Sequence, residues 1–364
     1  MNKINTMNNI ERIRQKLTEY NIDAMLVTNP MSRLFATGFF SSAGALIVAK
    51  DNAWFIIDSR YSEAAATAIT GALVVPQNKN ERIGDRIGIL VSENGIKTLG
   101  FEESKITYEV HRKLSSKLST EHGTEMLPAQ TLINKLREVK SRDELDCIIK
   151  AQRLSEKVFE EILPIISTDI TELELTAEII YRTIKNGAEK VSFDPIVVSG
   201  ANSSRPHGTP SNEKIQKGFL TIDWGVCLDG WCSDTTRTLC IGNPTDEMVR
   251  IYETVLDAQL AGISAVRGGV KGVDVDAAAR TVIEKADYGE YFGHGFGHSL
   301  GREVHETLSA SPLSEDILPA GAVMSAEPGI YLTGRCGVRI EDTVYITEDG
   351  CENITNLPKA LVVL

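Results

Sequence analysis

At 364 residues the chain is long enough for two domains, since single cores stop growing beyond roughly 250–300 residues, and its 42% apolar and 24% charged residues are those of an ordinary globular protein. A net charge of −12, from 50 acidic and 38 basic residues, argues against a nucleic-acid partner, whose phosphates call for a basic face. The opening stretch to Leu17, in which Met7 is a candidate second start, has no apolar run for a signal peptide or membrane span, and the six cysteines form no C-x-x-C pair, so reduced thiols in a cytoplasm are expected.

Ile10, Ile13 and Leu17 lie at helical spacing and predict a helix over 9–19, followed by a strand at 23–28. A-L-I-V-A and A-W-F-I-I-D flank Lys50-Asp51-Asn52, a hairpin turn. A helix near 62–68, a strand near 97–102 and a helix near 107–118 complete an alternating α/β stretch with little pointed chemistry. The character changes near Ala129, which places the domain boundary near residue 130 and predicts domains of 1–130 and 131–364. Ser141 with Glu144, and Thr171 with Glu174, make capping boxes for helices running to about Leu163 and to near Gly187. Strands are expected at 192–198, 219–226 and 231–241, helices at 246–266 and 273–286, and a glycine-rich, strand-like region from about 291.

In T-I-D-W-G-V-C-L-D-G-W-C-S-D-T-T-R-T, residues 221–238, two strand-like runs flank a turn at Leu228-Asp229-Gly230. Centring the hairpin on Leu228-Asp229 puts Asp223 opposite Asp234; centring it on Asp229-Gly230 makes them diagonal neighbours. Either register leaves both carboxylates on one face, roughly 5–8 Å apart at Cβ. Like charges that close need a cation or a proton, unless both are solvated on an exposed face. Ile222, Trp224, Val226 and Trp231 nearby point to burial. In G-V-R-I-E-D-T, residues 337–343, Arg339 and Glu341 share a strand face, as a structural ion pair or as part of a site. Glu327 ends an apolar strand before Pro328-Gly329, aimed into a cleft or into solvent.

Of six histidines, His294, His298 and His305 fall within Y-F-G-H-G-F-G-H-S-L-G-R-E-V-H-E at 291–306. The interleaved glycines disfavour a helix and let backbone approach closely. Acidic oxygens with one imidazole suit two divalent ions of the manganese, cobalt, iron or zinc kind. Such a pair lowers the pKa of a shared water and polarises a carbonyl.

Residues 130–364 closely resemble the pita-bread metallopeptidases, the superfamily of methionine aminopeptidase, Xaa-Pro aminopeptidase, prolidase and creatinase. The motifs S-G-A-N-S-S-R-P-H-G-T-P, D-W-G with S-D-T-T-R-T, H-G-F-G-H-S-L-G with V-H-E, A-E-P-G-I-Y and V-R-I-E-D-T stand in family order at family spacing. The resemblance implies an α+β pita-bread catalytic domain preceded by a smaller α/β domain. It implies that Asp223 binds one metal, His298 and Glu327 the second, and that Asp234 and Glu341 bridge both. Glu327 would also handle the water's proton. His305 and His207 would hold the substrate and stabilise charge on the scissile carbonyl, His294 would line the pocket, and Arg339 would orient the bridging carboxylates. The N-terminal A-T-G-F and I-D-S-R-Y stretches, with S-D-T-T-R-T, resemble the proline-specific branch. The expected activity is that of an Xaa-Pro aminopeptidase acting on small proline-containing peptides, with an Xaa-Pro dipeptidase as the alternative. Two ions, with manganese first and cobalt or zinc as substitutes, a homodimer, a cytoplasmic setting and no nucleic-acid or membrane partner complete the expectation.

The chain departs from the family pattern at Ser299, where glycine is usual and a side chain would narrow the cleft. It also departs between His207 and Asp223, which is one residue short. G-H-S-L-G at 297–301 fits a G-x-S-x-G nucleophile elbow, but the only later histidine is His305, so the triad order of a serine hydrolase fails. A non-catalytic relative would be expected to have lost ligands, and all five are present. Arg302 is a candidate for a substrate carboxylate or a solvated surface residue.

Overall fold

The structure, a computed structural model, describes residues 9–364, so the candidate start at Met7 lies outside it. The chain divides into two compact units after Arg137. The first is built on a six-stranded sheet in the order Leu73–Pro76, Ala53–Ile57, Ala45–Ala49, Ala24–Val27, Thr98–Phe101, Glu125–Pro128. Its centre is antiparallel, around the hairpin turning at Lys50–Asn52, and its outer pairs are parallel. The three central strands read A-M-L-V, A-L-I-V-A and A-W-F-I-I and are buried along their whole length. Continuous apolar runs are what a sheet covered on both faces requires, and two separate apolar clusters lie against it.

Several helices of this unit carry their own signals. Pro30–Thr37 starts with Asn29 accepting from the N–H of Met31 and Ser32, has proline in its first turn, and stops at Gly38 with φ 69°. Helix Gln130–Glu138 places Leu132, Ile133 and Leu136 in the first unit's core. That attachment is why the compact division falls beyond the change of character at residue 130.

In the second unit both capping boxes form as read, opening helices Arg142–Ile162 and Glu172–Lys185. These two cover an antiparallel sheet of Ile196–Ser199, Gly218–Trp224 and Thr235–Ile241, with Gly218–Trp224 in the middle. Val158, Phe159, Leu175 and Ile179 pack there against Val197, Leu220, Ile222 and Trp224, and the Phe159 and Trp224 rings stack 4.8 Å apart. A second helix pair, Asp246–Ala265 and Gly272–Lys285, buries Val255, Val275, Ala279 and Ile283 against Met324, Ala326, Val338 and Val344. Those last residues belong to Val323–Ala326 and Asp342–Ile346, which pair antiparallel, and to the hairpin of Gly329–Leu332 with Cys336–Arg339. Helices thus lie outside and short strands inside, and the strand ends converge on one cavity.

Candidate metal centre

Strand Gly218–Trp224 pairs with Thr235–Ile241 so that Asp223 faces Thr236. The hairpin therefore turns on Asp229-Gly230, and Asp223 and Asp234 are diagonal neighbours on one face. Asp342–Ile346 and Cys336–Arg339 bring Glu341 and Arg339 to the same place. The Thr236 hydroxyl donates to Glu341 Oε2 at 2.7 Å and accepts from Arg339 Nε at 3.0 Å. Arg339 Nη2 donates to Asp223 Oδ2 at 2.7 Å. Strand Val323–Ala326 delivers Glu327, whose N–H donates to Phe296 O at 2.8 Å and whose Oε1 lies 3.2 Å from His298 Nε2. His298 Nε2 is also 3.5 Å from Asp234 Oδ2, and its ring stands 4.1 Å from that of His305.

All five expected ligands, with His207, His294, His305 and Arg339, line a cavity of about 490 Å³. His207 reaches it despite the shortened segment that follows, and Pro206 beside it accepts from Arg339. Ser299 does not line the cavity. Its hydroxyl is fully buried and accepts from the Leu308 N–H at 2.9 Å, so the expected narrowing of the cleft does not occur. Arg302 points elsewhere too. It donates to Asp229 O and Gly230 O and lies 3.9 Å over the Trp231 ring, clamping the hairpin turn rather than offering charge to a substrate.

One residue that the sequence reading passed over joins the set. Tyr331 OH sits 3.0 Å from His294 Nε2 and accepts from Arg339 Nη1 at 2.8 Å, so a single phenol ties the pocket-lining histidine to the arginine holding Asp223. A Cβ at Gly329 would lie 2.5 Å from that hydroxyl. The A-E-P-G-I-Y segment carried the signal: a glycine two positions before a tyrosine on a strand leaves room for the ring to fold across it.

The electrostatics are those of crowded acid. Burial, then the neighbouring carboxylates, raises Asp234 and Glu341 well above the usual carboxylate range, and burial raises Asp223. Glu327 goes the other way, to about 2; burial opposes this, and the hydrogen bond and charge of His298 override it. His298 is pushed up to about 9 against its own burial by the same contact. Burial lowers His294 and His305. Asp223 Oδ1 and Glu341 Oε1 are buried without a hydrogen-bond partner among the described residues, although buried acceptors are rarely left so. One ligand atom from each of Asp234, His298 and Glu341 lies within 4.8 Å of the others. Orphaned carboxylate oxygens aimed at a shared space, beside an imidazole, fit divalent cations.

Buried carboxylates gathered with histidine around one cavity mark a metallohydrolase. The chain belongs to metallopeptidase family M24, which residues 146–348 match, while residues 9–139 match the creatinase/prolidase N-terminal domain. The pita-bread fold implied by the motifs is shared with solved relatives. An Xaa-Pro dipeptidase from Bacillus anthracis is 39% identical with a TM-score of 0.93, over 99% of this chain and 100% of its own. The prolidase from Pyrococcus horikoshii OT3 is 31% identical at TM-score 0.90, over 97% and 99%. An X-Pro aminopeptidase from Thermotoga maritima MSB8 is 34% identical at 0.88, over 94% and 98%.

Proposed function

We propose that this chain hydrolyses the bond preceding proline in small peptides and acts as an Xaa-Pro dipeptidase, a prolidase. The observation that carries the hydrolase reading is the convergence of Asp223, Asp234, His298, Glu327 and Glu341 on one cavity, with carboxylate oxygens left unsatisfied. The dipeptidase reading draws on the greater similarity to the Bacillus anthracis dipeptidase and on the likeness to the Pyrococcus prolidase. It displaces the aminopeptidase expected from the motifs, which keeps the Thermotoga maritima enzyme in its favour.

On this reading Asp223, Asp234, His298, Glu327 and Glu341 would hold two divalent cations, manganese being expected. When bound, the cations would supply activation of water and polarisation of the scissile carbonyl. The protein's own groups do the rest. Glu327, kept ionised beside His298, accepts a proton from the attacking water at its carboxylate and returns it to the departing proline nitrogen. His305, held neutral by burial, donates its N–H to the carbonyl oxygen as negative charge develops there. Arg339 fixes the rotamer of Asp223, and Tyr331 fixes Arg339. Proline's nitrogen carries no N–H, so the cavity needs no acceptor opposite it, and shape selects the ring. We also infer a homodimer in a cytoplasmic setting. Among the described residues, no helix is long and apolar enough to cross a membrane.

The test compares Ala-Pro and Ala-Pro-Ala as substrates for chelator-stripped protein, before and after Mn²⁺. Metal-restored cleavage of the dipeptide with little of the tripeptide is expected. Rapid cleavage of the tripeptide's first bond would return the assignment to an aminopeptidase. No metal-dependent cleavage of either would leave a binding module on a peptidase fold.

A further inference from the structure

The hairpin between Asp223 and Asp234 carries two of the six cysteines, and the proposed chemistry uses neither. Strands Val226–Leu228 and Trp231–Cys232 pair antiparallel with Cys227 directly opposite Cys232 and Leu228 opposite Trp231. Asp229 and Gly230 form the turn, with φ of 51° and 70°, the two positive angles that a type I′ turn demands. In such a hairpin the residues flanking the turn exchange hydrogen bonds and the next pair outward does not. The main chains follow this pattern. The Cys232 N–H donates to Gly301 O at 2.8 Å and the Cys227 carbonyl accepts from Glu189 N–H at 2.9 Å, both away from the pair, whereas Ser233 N–H donates to Val226 O at 2.9 Å one step out.

Non-hydrogen-bonded partners have Cα atoms about 4.5 Å apart, within the roughly 4.4–6.8 Å that a disulfide spans. Both side chains are buried, at 4% and 5% exposure, with Cys227 Sγ donating to Glu189 Oε2 at 3.5 Å and Cys232 Sγ to Arg302 O at 3.7 Å, weak bonds that an oxidised pair would give up. Neither Cys240, Cys336 nor Cys351 faces another cysteine across a strand pair, and Cys147 lies on a helix.

We propose that Cys227 and Cys232 form a redox-active dithiol, a modification site whose co-substrate is a hydroperoxide small enough to reach a buried thiol. One sulfur attacks the peroxide O–O bond, gaining oxygen as a sulfenic acid while the first water leaves. The facing sulfur then displaces that hydroxyl as a second water and forms the S–S bond. Two thiols lose two electrons and two protons, and hydrogen peroxide is reduced to two waters. Cys227 and Cys232 already face each other across the strand pair, in the kind of register a disulfide can span, so forming the link asks for side-chain rotation rather than a new strand pairing.

The test is brief exposure of the full chain to hydrogen peroxide, alkylation of the remaining thiols, and peptide mapping by mass spectrometry. Two of the six thiols should disappear together, with Cys227 and Cys232 recovered in one linked peptide lighter by two hydrogens and restored by dithiothreitol. Cys232→Ser should lose the link and leave Cys227 as thiol or sulfenic acid, with the other cysteines reacting as before. Six thiols still alkylated, links to other cysteines, or independent sulfinic acids at both positions would each overturn the proposal. The readout is a covalent mass rather than turnover, so the inference stands or falls apart from the peptidase reading.

Discussion

The Glu327 carboxylate lies 3.2 Å from His298 Nε2 and 3.1 Å from Ser325 Oγ, and its low pKa keeps it ionised. Glu327→Gln keeps the volume and one acceptor but cannot take a proton. Turnover is expected to fall by about 10²–10⁴, while metal content, measured by elemental analysis, falls far less. A variant that bound metal and kept most of its turnover would remove Glu327 from proton transfer. Glu102 in the first unit offers a stability test at the same scale. It is 1% exposed, its Oε2 accepts from Thr28 N–H and Asn29 N–H, and burial raises its pKa. Between the unfolded value of about 4.3 and that raised value, the folded chain binds more protons than the unfolded one. Stability is therefore lost as pH climbs through that window. Glu102→Gln cannot ionise, so its urea midpoint should gain on the wild type as pH rises above about 4.3. Parallel pH profiles would contradict this.

Among the elements, helix Gly272–Lys285 holds the histidine segment by an unusual grip. Arg280 donates to Phe292 O at 2.8 Å and His294 O at 2.7 Å, stacks over the Phe292 ring, and pairs with Asp276, whose Oδ1 accepts from Phe296 N–H at 3.0 Å. Glycine-rich backbone has many conformations to lose, and this clamp selects the one that presents His298. Arg280→Ala should weaken Mn²⁺ binding about 10-fold in a calorimetric titration, beyond any drop in melting temperature. Unchanged affinity would make the clamp purely structural. The sequence carried half of this. The capping boxes at Ser141 and Thr171, the apolar strands and the ligand motifs were legible because each signal is local. Helix Pro30–Thr37 was legible in principle, from Asn29-Pro30 and Gly38, yet eight residues give little periodicity to read. Arg280 and Tyr331 were not legible in their roles, because those depend on distant segments meeting. The register of Asp223 against Asp234 stayed open until the two-residue turn was known. Arg302 misled because a cation near a motif looks the same whether it faces a cleft or a turn.

Across the whole molecule, the second unit folds around acid that has given up its water. Asp223, Asp234, Glu327 and Glu341 line one cavity in which Arg339 is the only lysine or arginine among the lining residues. Buried like charges destabilise the fold unless opposite charge is supplied. Cations that bind the folded chain alone stabilise it, by about 2.7 kcal/mol at a hundredfold excess over Kd. The melting temperature should rise with the logarithm of free Mn²⁺, drop in EDTA, and recover on dialysis back. A melting temperature indifferent to metal would deny that the cluster is a binding site.

The two unpaired oxygens, Asp223 Oδ1 and Glu341 Oε1, then bear on how long the protein lasts as well as on what it does. Cleavage of a transiently opened chain tracks the open population, and that population grows wherever these oxygens lack a counterion. A cell starved of the cation would not store an idle enzyme awaiting resupply; its proteases would clear it. Abundance would thus report metal availability, with no dedicated sensor required.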